Sequence, residues 1–269
     1  MKKHLLLFAA LCLVSFLLGE ENTLNYMGYT LEKQITEEDG YQMYIMILTD
    51  GNGNVIKKFD LGADSEEWNS WKLLDVIKGG NKELLISQYS GGAHCCEYNW
   101  IYEFTPEVKE IFNSYQYNTL GFMAPPDDLN NDGNDELILQ DLLFSYFYRC
   151  CYAASPSYSV IFEYDPERQE YVVQNSKFRE FLIPEEPDIF ILADEFEDIK
   201  TTDNPDEVDP GGYYLGSVLN EVIPFFYAGE IELAWRLFDT YYILEDKTEI
   251  KELMIKRLES DSCFIIKEQ

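Results

Sequence analysis

Apolar and polar residues are distributed along the chain in two regimes, short strand-like runs first and helical stripes last. Tyr41 to Leu48 reads as a strand, Asp50-Gly51-Asn52-Gly53-Asn54 as a turn and Val55 to Phe59 as the returning strand. Short apolar runs broken by turn residues continue to about residue 175, which predicts β structure throughout that part. Beyond it the period changes. Leu215–Phe226, Glu230–Tyr242 and Lys247–Leu258 each place apolar residues three and four apart and read as helices, with Pro224 expected to kink the first or end it early. Ile231, Ala234, Trp235 and Phe238 make one such stripe, and Ile250, Leu253 and Met254 another. Such stripes are core faces.

The β part contains an internal repeat. Lys82-Glu83-Leu84-Leu85-Ile86 leads through His94-Cys95-Cys96 to Tyr98-Asn99-Trp100-Ile101-Tyr102-Glu103-Phe104. Asp135-Glu136-Leu137-Ile138-Leu139 leads through Arg149-Cys150-Cys151 to Tyr158-Ser159-Val160-Ile161-Phe162-Glu163-Tyr164. Each copy is an acidic turn, an apolar strand, a loop with two adjacent cysteines and an aromatic strand. A period of roughly 50 residues suits one four-stranded unit.

Met1-Lys2-Lys3-His4 precedes the apolar run Leu5 to Leu18, which Glu20-Glu21 ends abruptly. This is the layout of a cleavable export signal, expected to span residues 1–19. Fourteen helical residues reach only about 21 Å, short of a bilayer core of about 30 Å, so a retained anchor is the weaker reading. The expected organisation is therefore a signal over 1–19, a β domain over 20–183, an acidic Pro-rich linker over 184–212 and a helical subdomain over 213–269. The fold class is α+β, mainly antiparallel β followed by helices.

Charge narrows the partners. Fifty Asp and Glu against 20 Lys and Arg give a net charge of −30, and loss of Lys2 and Lys3 with the signal deepens it. Such a field repels phosphate backbones and anionic lipid, so neither nucleic acid nor stable membrane insertion is expected. With 46% hydrophobic and 15% aromatic residues, the chain is too apolar to be disordered. A periplasmic or secreted protein is expected, its partner an unspecified protein or small ligand.

Asp128-Leu129-Asn130-Asn131-Asp132-Gly133-Asn134-Asp135-Glu136 carries the most chemical information. Oxygen side chains at positions 1, 3 and 5 of a tight loop converge on one hard cation, and Gly at position 6 allows the bend. Position 7 adds a backbone carbonyl and position 9 a carboxylate. The candidate ligands are Asp128, Asn130, Asp132, Asn134 and Glu136, and the expected ion is calcium. An EF-hand is excluded, because position 12 is Leu139 and Ala124-Pro125-Pro126 forbids the preceding helix. Asp50, Asn52 and Asn54 have similar alternation but no following Gly, and read as a turn.

The segment Asp128 to Leu137 resembles the calcium loop of FG-GAP or VCBS repeats, the units of integrin-like β-propellers, with Glu136 where that family mostly has Asp. Asp75 to Glu83 resembles a copy that keeps the ends of the pattern and lacks its middle ligands. The resemblance covers about residues 70–165 and implies two degenerate repeats in a partial, propeller-like arrangement. It implies a fold unit and no activity. Ser90-Gly91-Gly92-Ala93-His94-Cys95-Cys96 is also similar to a segment of uncharacterised exported bacterial proteins.

After export, Cys95, Cys96, Cys150 and Cys151 are expected to form disulfides, either within each adjacent pair or between the copies, with Cys263 left over. His94 is the one histidine outside the signal, so imidazole chemistry has nowhere else to sit. No zinc-protease, serine-elbow or phosphate-loop motif is present. The sequence thus points to a calcium- and disulfide-stabilised binding or scaffold protein. The alternatives are a redox or transition-metal-handling protein using His94 and the paired cysteines, or a hydrolase using carboxylates near Asp128 or Asp135.

Overall fold

A computed structural model describes residues 22–38, 41–62, 70–92, 95–105, 107–117, 119–183 and 196–264. The expected signal, His94 and part of the expected linker lie outside them. The protein is α+β, with three antiparallel four-stranded sheets followed by helices; the described residues form no closed barrel or propeller. None of their helices is long and apolar enough to cross a membrane.

The chain divides into two units at Asn69/Ser70. The first is a meander of β1 (Thr23–Tyr26), β2 (Tyr29–Glu38), β3 (Tyr41–Thr49) and β4 (Val55–Gly62). Leu31, Met46, Leu48, Phe59 and Leu61 are buried in it. The β3–β4 hairpin is the expected one. Its Asp50 carboxylate accepts the amides of Asn52 and Asn54 at 2.9 and 2.8 Å and the Asn54 side chain at 2.8 Å. These bonds use its oxygens within the turn, as an Asx turn does.

The second unit contains both repeats. β5 (Ser70–Leu74), β6 (Glu83–Gly92), β7 (Cys95–Glu103) and β8 (Lys109–Asn113) form one meander. β9 (Leu120–Met123), β10 (Leu137–Asp141), β11 (Tyr158–Asp165) and β12 (Glu170–Val173) form the next. The repeated apolar and aromatic strands are β6 and β7 in one sheet, β10 and β11 in the other. Leu137, Ile138 and Leu139 are all buried, so β10 is covered on both faces, which explains its unbroken apolar run. Phe112 of β8 meets Phe162 of β11 edge-on, with ring centroids 5.1 Å apart.

Three longer helices follow: α1 (Tyr213–Tyr227), α2 (Ile231–Tyr241) and α3 (Lys247–Ser260). The helices pack on the β part through shared buried residues. Val160 and Phe162 of β11, Val218 and Val222 of α1 and Met254 of α3 belong to one continuous buried cluster. Helix α1 is buried on nearly all sides. It starts at Gly212, whose φ of 70° suits glycine. The buried Asp209 carboxylate accepts the amides of Tyr214 and Leu215 at 3.0 and 3.1 Å, serving two of the four donors a helix start leaves unpaired. Of the two effects expected of Pro224, an early end does not occur, and α1 runs on to Tyr227. A proline costs about 3 kcal/mol inside a helix. Phe225, Phe226 and Tyr227 beyond it are all buried, at about 1.5–3 kcal/mol for a large apolar side chain. Their burial outweighs the proline.

Candidate cation loop

The connection from β9 to β10 is pinned at its base. Asp127 and Glu136 exchange backbone hydrogen bonds, the Glu136 amide reaching the Asp127 carbonyl at 2.8 Å and the Asp127 amide returning at 3.3 Å. Ala124 continues the ladder by donating to Ile138 at 2.8 Å. Between these anchors the chain must turn tightly. Asn131 and Gly133 adopt φ of 61° and 95°, the left-handed region that Gly tolerates and Asn visits most readily among other residues.

That winding turns the alternate side chains inward. The Asp132 amide donates both to Asp128 Oδ1 at 3.1 Å and to Asn130 Oδ1 at 2.8 Å, so positions 1 and 3 face the same centre. Gly133 donates to Asp128 Oδ2 at 3.0 Å. The Asp132 carboxylate accepts the Asn134 amide at 2.8 Å and the Asn134 side chain at 3.0 Å. Glu136 is fully buried; it accepts the Leu129 amide at 2.8 Å and the Asn130 side-chain NH₂ at 3.1 Å. Asp128, Asn130, Asp132 and Glu136 are thus brought together. Asn134 is used differently: its Oδ1 accepts the Lys78 amide at 2.9 Å, which ties this loop to its counterpart in the first repeat.

Glu163 completes the cluster. It projects from β11, accepts from the Asn130 side chain at 3.2 Å and pairs with Lys177. Carboxylate oxygens of Asp132, Glu136 and Glu163 lie within 4.8 Å of one another. One signal for it was present in the sequence, since Glu163 and Glu103 occupy the same place in the two aromatic strands.

The electrostatics follow from this crowding. Burial, then the charges of Asp132, Glu163 and Asp128, push the Glu136 carboxyl up to about 7. Asp135 is also raised, by burial and by Asp128. Asp132 is held low, first by the Asn134 amide. The Lys78 ammonium offsets some of the charge by reaching the Asp132 carbonyl at 3.1 Å. The clustered carboxylate oxygens of Asp132, Glu136 and Glu163, with Glu136 buried and destabilised by its neighbours, fit a hard divalent cation.

The first repeat keeps the frame of this site without its ligands. Glu83 is buried and accepts the Val76 amide at 3.0 Å, as Glu136 accepts that of Leu129. Its carboxyl is raised by burial and by Glu103. Ile77 and Gly79 stand where Asn130 and Asp132 stand in the second loop.

The paired cysteines are less informative. Among the described residues, Cys150, Cys151 and Cys263 form no disulfide. Cys150 is buried, donates to the Gly212 carbonyl at 3.4 Å and is pushed up to about 12, chiefly by burial. The Cys151 thiol is held below its ordinary value, first by the Ala154 amide and then by the Tyr213 hydroxyl. The side chains of Cys95 and Cys96 lie outside the described residues.

No family model matches the chain, and no solved structure does. A probable thylakoid lumen protein of Synechocystis sp. is similar, 28% identical over an alignment 173 positions long that covers 59% of this chain and 43% of that protein. The chain therefore spans less than half the length of that relative.

Proposed function

We propose that this chain is an extracytoplasmic, calcium-stabilised binding or scaffold protein, periplasmic or secreted. The observation that carries the calcium reading is the convergence of Asp128, Asn130, Asp132 and Glu136 with Glu163 from a neighbouring strand. Location outside the cytoplasm is supported by the charged and apolar start of the sequence and by similarity to a lumen protein. The repeated closing glutamate, Glu83 and Glu136, supports reading both meanders as degenerate FG-GAP or VCBS units. Their partial, propeller-like arrangement would present loops to a protein or small ligand. Melting the chain in calcium and in chelator tests the proposal: a higher midpoint in calcium is expected, lost in Glu136→Gln. An unchanged midpoint refutes the calcium role.

Disulfides among Cys95, Cys96, Cys150 and Cys151 belong to the same proposal, formed on export. The depressed Cys151 thiol favours the second reading, a redox or metal-handling role with His94. Thiol titration of non-reduced mature protein separates the two: one free thiol fits structural bonds, whereas five fit the redox role.

A further inference from the structure

We propose that Asp141, Asp261 and Cys263 form a second, buried site for one divalent transition-metal ion of the zinc type. Asp141 ends β10, and Asp261 and Cys263 follow α3, so widely separated parts of the chain meet here. One oxygen of each aspartate and the Cys263 sulfur lie within 4.8 Å of one another. The three residues are 0%, 7% and 0% exposed.

Few donors face these groups. Leu143 and Cys263 give their amides to Asp141 Oδ1 at 2.8 Å and Asp261 Oδ1 at 3.0 Å. The remaining oxygens share the hydroxyl of Tyr227, which contacts Asp141 Oδ2 at 2.9 Å and also Asp261 Oδ2, and Asp141 has one more side-chain hydrogen bond, from Thr119. A phenol has one hydrogen and serves one of them. Beside it stands Tyr158, whose ring lies 5.1 Å from that of Tyr227. Its buried hydroxyl feels Asp141, Asp261 and Cys263 and faces the Tyr227 hydroxyl without a well-formed hydrogen bond. The cluster lacks one positive centre and holds one unused oxygen donor.

A proton shared by the two carboxyls answers the first point and leaves Tyr158 and the thiol unused. A metal ion answers both. The sulfur selects the class, since thiolate with carboxylate and phenol oxygens suits zinc and its relatives, whereas calcium and magnesium take oxygen alone. Burial pushes the Cys263 thiol well above its ordinary range. Binding breaks its S–H bond, forms the S–metal bond and sends the proton to solvent, so affinity rises with pH. A cleft of about 500 Å³, bordered by Phe112 of β8 and Tyr171 of β12, is also lined by Tyr227 and Cys263.

The test is cobalt(II) titration of the reduced, chelator-stripped mature chain. One equivalent should raise a thiolate-to-cobalt charge-transfer band that zinc abolishes. Cys263→Ser should remove the band with the far-ultraviolet circular dichroism unchanged, and Asp141→Asn should weaken cobalt binding about tenfold or more. If Cys263→Ser does not fold, a chain with Cys95, Cys96, Cys150 and Cys151 all changed to Ser decides, because Cys263 is then its one thiol: the band must persist. Folded protein without a band leaves the carboxyls joined by a proton alone and overturns the proposal. So does a band that survives Cys263→Ser.

Discussion

The Lys78 amide donates to Asn134 Oδ1 at 2.9 Å, joining corresponding turns of the two repeats. The Asp135 amide adds a second tie by donating to the Val76 carbonyl at 2.8 Å. The contact is exposed, so Asn134→Ala should cost only about 0.5–1.5 kcal/mol, the net worth of one hydrogen bond. Urea unfolding of the two proteins measures it, with the denaturant slope unchanged.

Acid should strengthen the calcium-free protein. Glu136 rises from 4.5 to about 7 on folding and Asp141 from 3.8 to about 7, both chiefly through burial. A carboxyl raised in this way keeps its proton folded and loses it unfolded. Its stabilising effect is complete below the unfolded value and disappears as pH climbs through the folded one. Melting midpoints in chelator should therefore fall between about pH 4 and pH 7. Glu136→Gln and Asp141→Asn should each flatten part of that slope, and calcium should remove the Glu136 part.

A methyl group at Gly216 has nowhere to go. Its Cβ would lie 1.7 Å from the Ala154 carbonyl oxygen, backbone that cannot swing aside. Gly→Ala inside a helix ordinarily gains about 1 kcal/mol. Here overpacking should reverse the sign, and Gly216→Ala should lose roughly 1–3 kcal/mol, read as a lower melting midpoint.

Arg149 reaches Asp246, at the start of α3, at 2.5 Å, with the two side chains only 11% and 10% exposed. Asp246 also accepts the Tyr242 hydroxyl at 2.8 Å. Removing one partner strands the other in the protein, so Asp246→Ala should cost about 3–5 kcal/mol. Asp206, 3.5 Å from the guanidinium and 86% exposed, is a control: its removal should cost about 0–1 kcal/mol.

What could be read from the sequence was whatever the chain writes locally. The ligand alternation of Asp128, Asn130 and Asp132 lies within five residues, and the two apolar–aromatic strand pairs repeat their own pattern. Glu163 could not be placed, because its approach to Asn130 depends on the pairing of β10 with β11. The capping of α1 was hidden as well, since Asp209 acts across Gly212 with its left-handed turn. The change of period after Pro184 marked where helices begin, but period reports which face of an element is buried, not which residues cover it. The meeting of Asp141 with Asp261 depends wholly on how α3 and its following turn close on the sheet.

Calcium binding by the chelator-stripped mature chain, followed by titration calorimetry beside Glu136→Gln and Glu163→Gln, tests the central claim most directly. One equivalent per chain should bind at or below the roughly millimolar affinity of extracellular calcium modules. Both variants should weaken it about tenfold or more, Glu163→Gln showing that a residue outside the loop belongs to the site. No calcium heat from a folded parent chain, or full affinity retained in Glu136→Gln, would contradict the account.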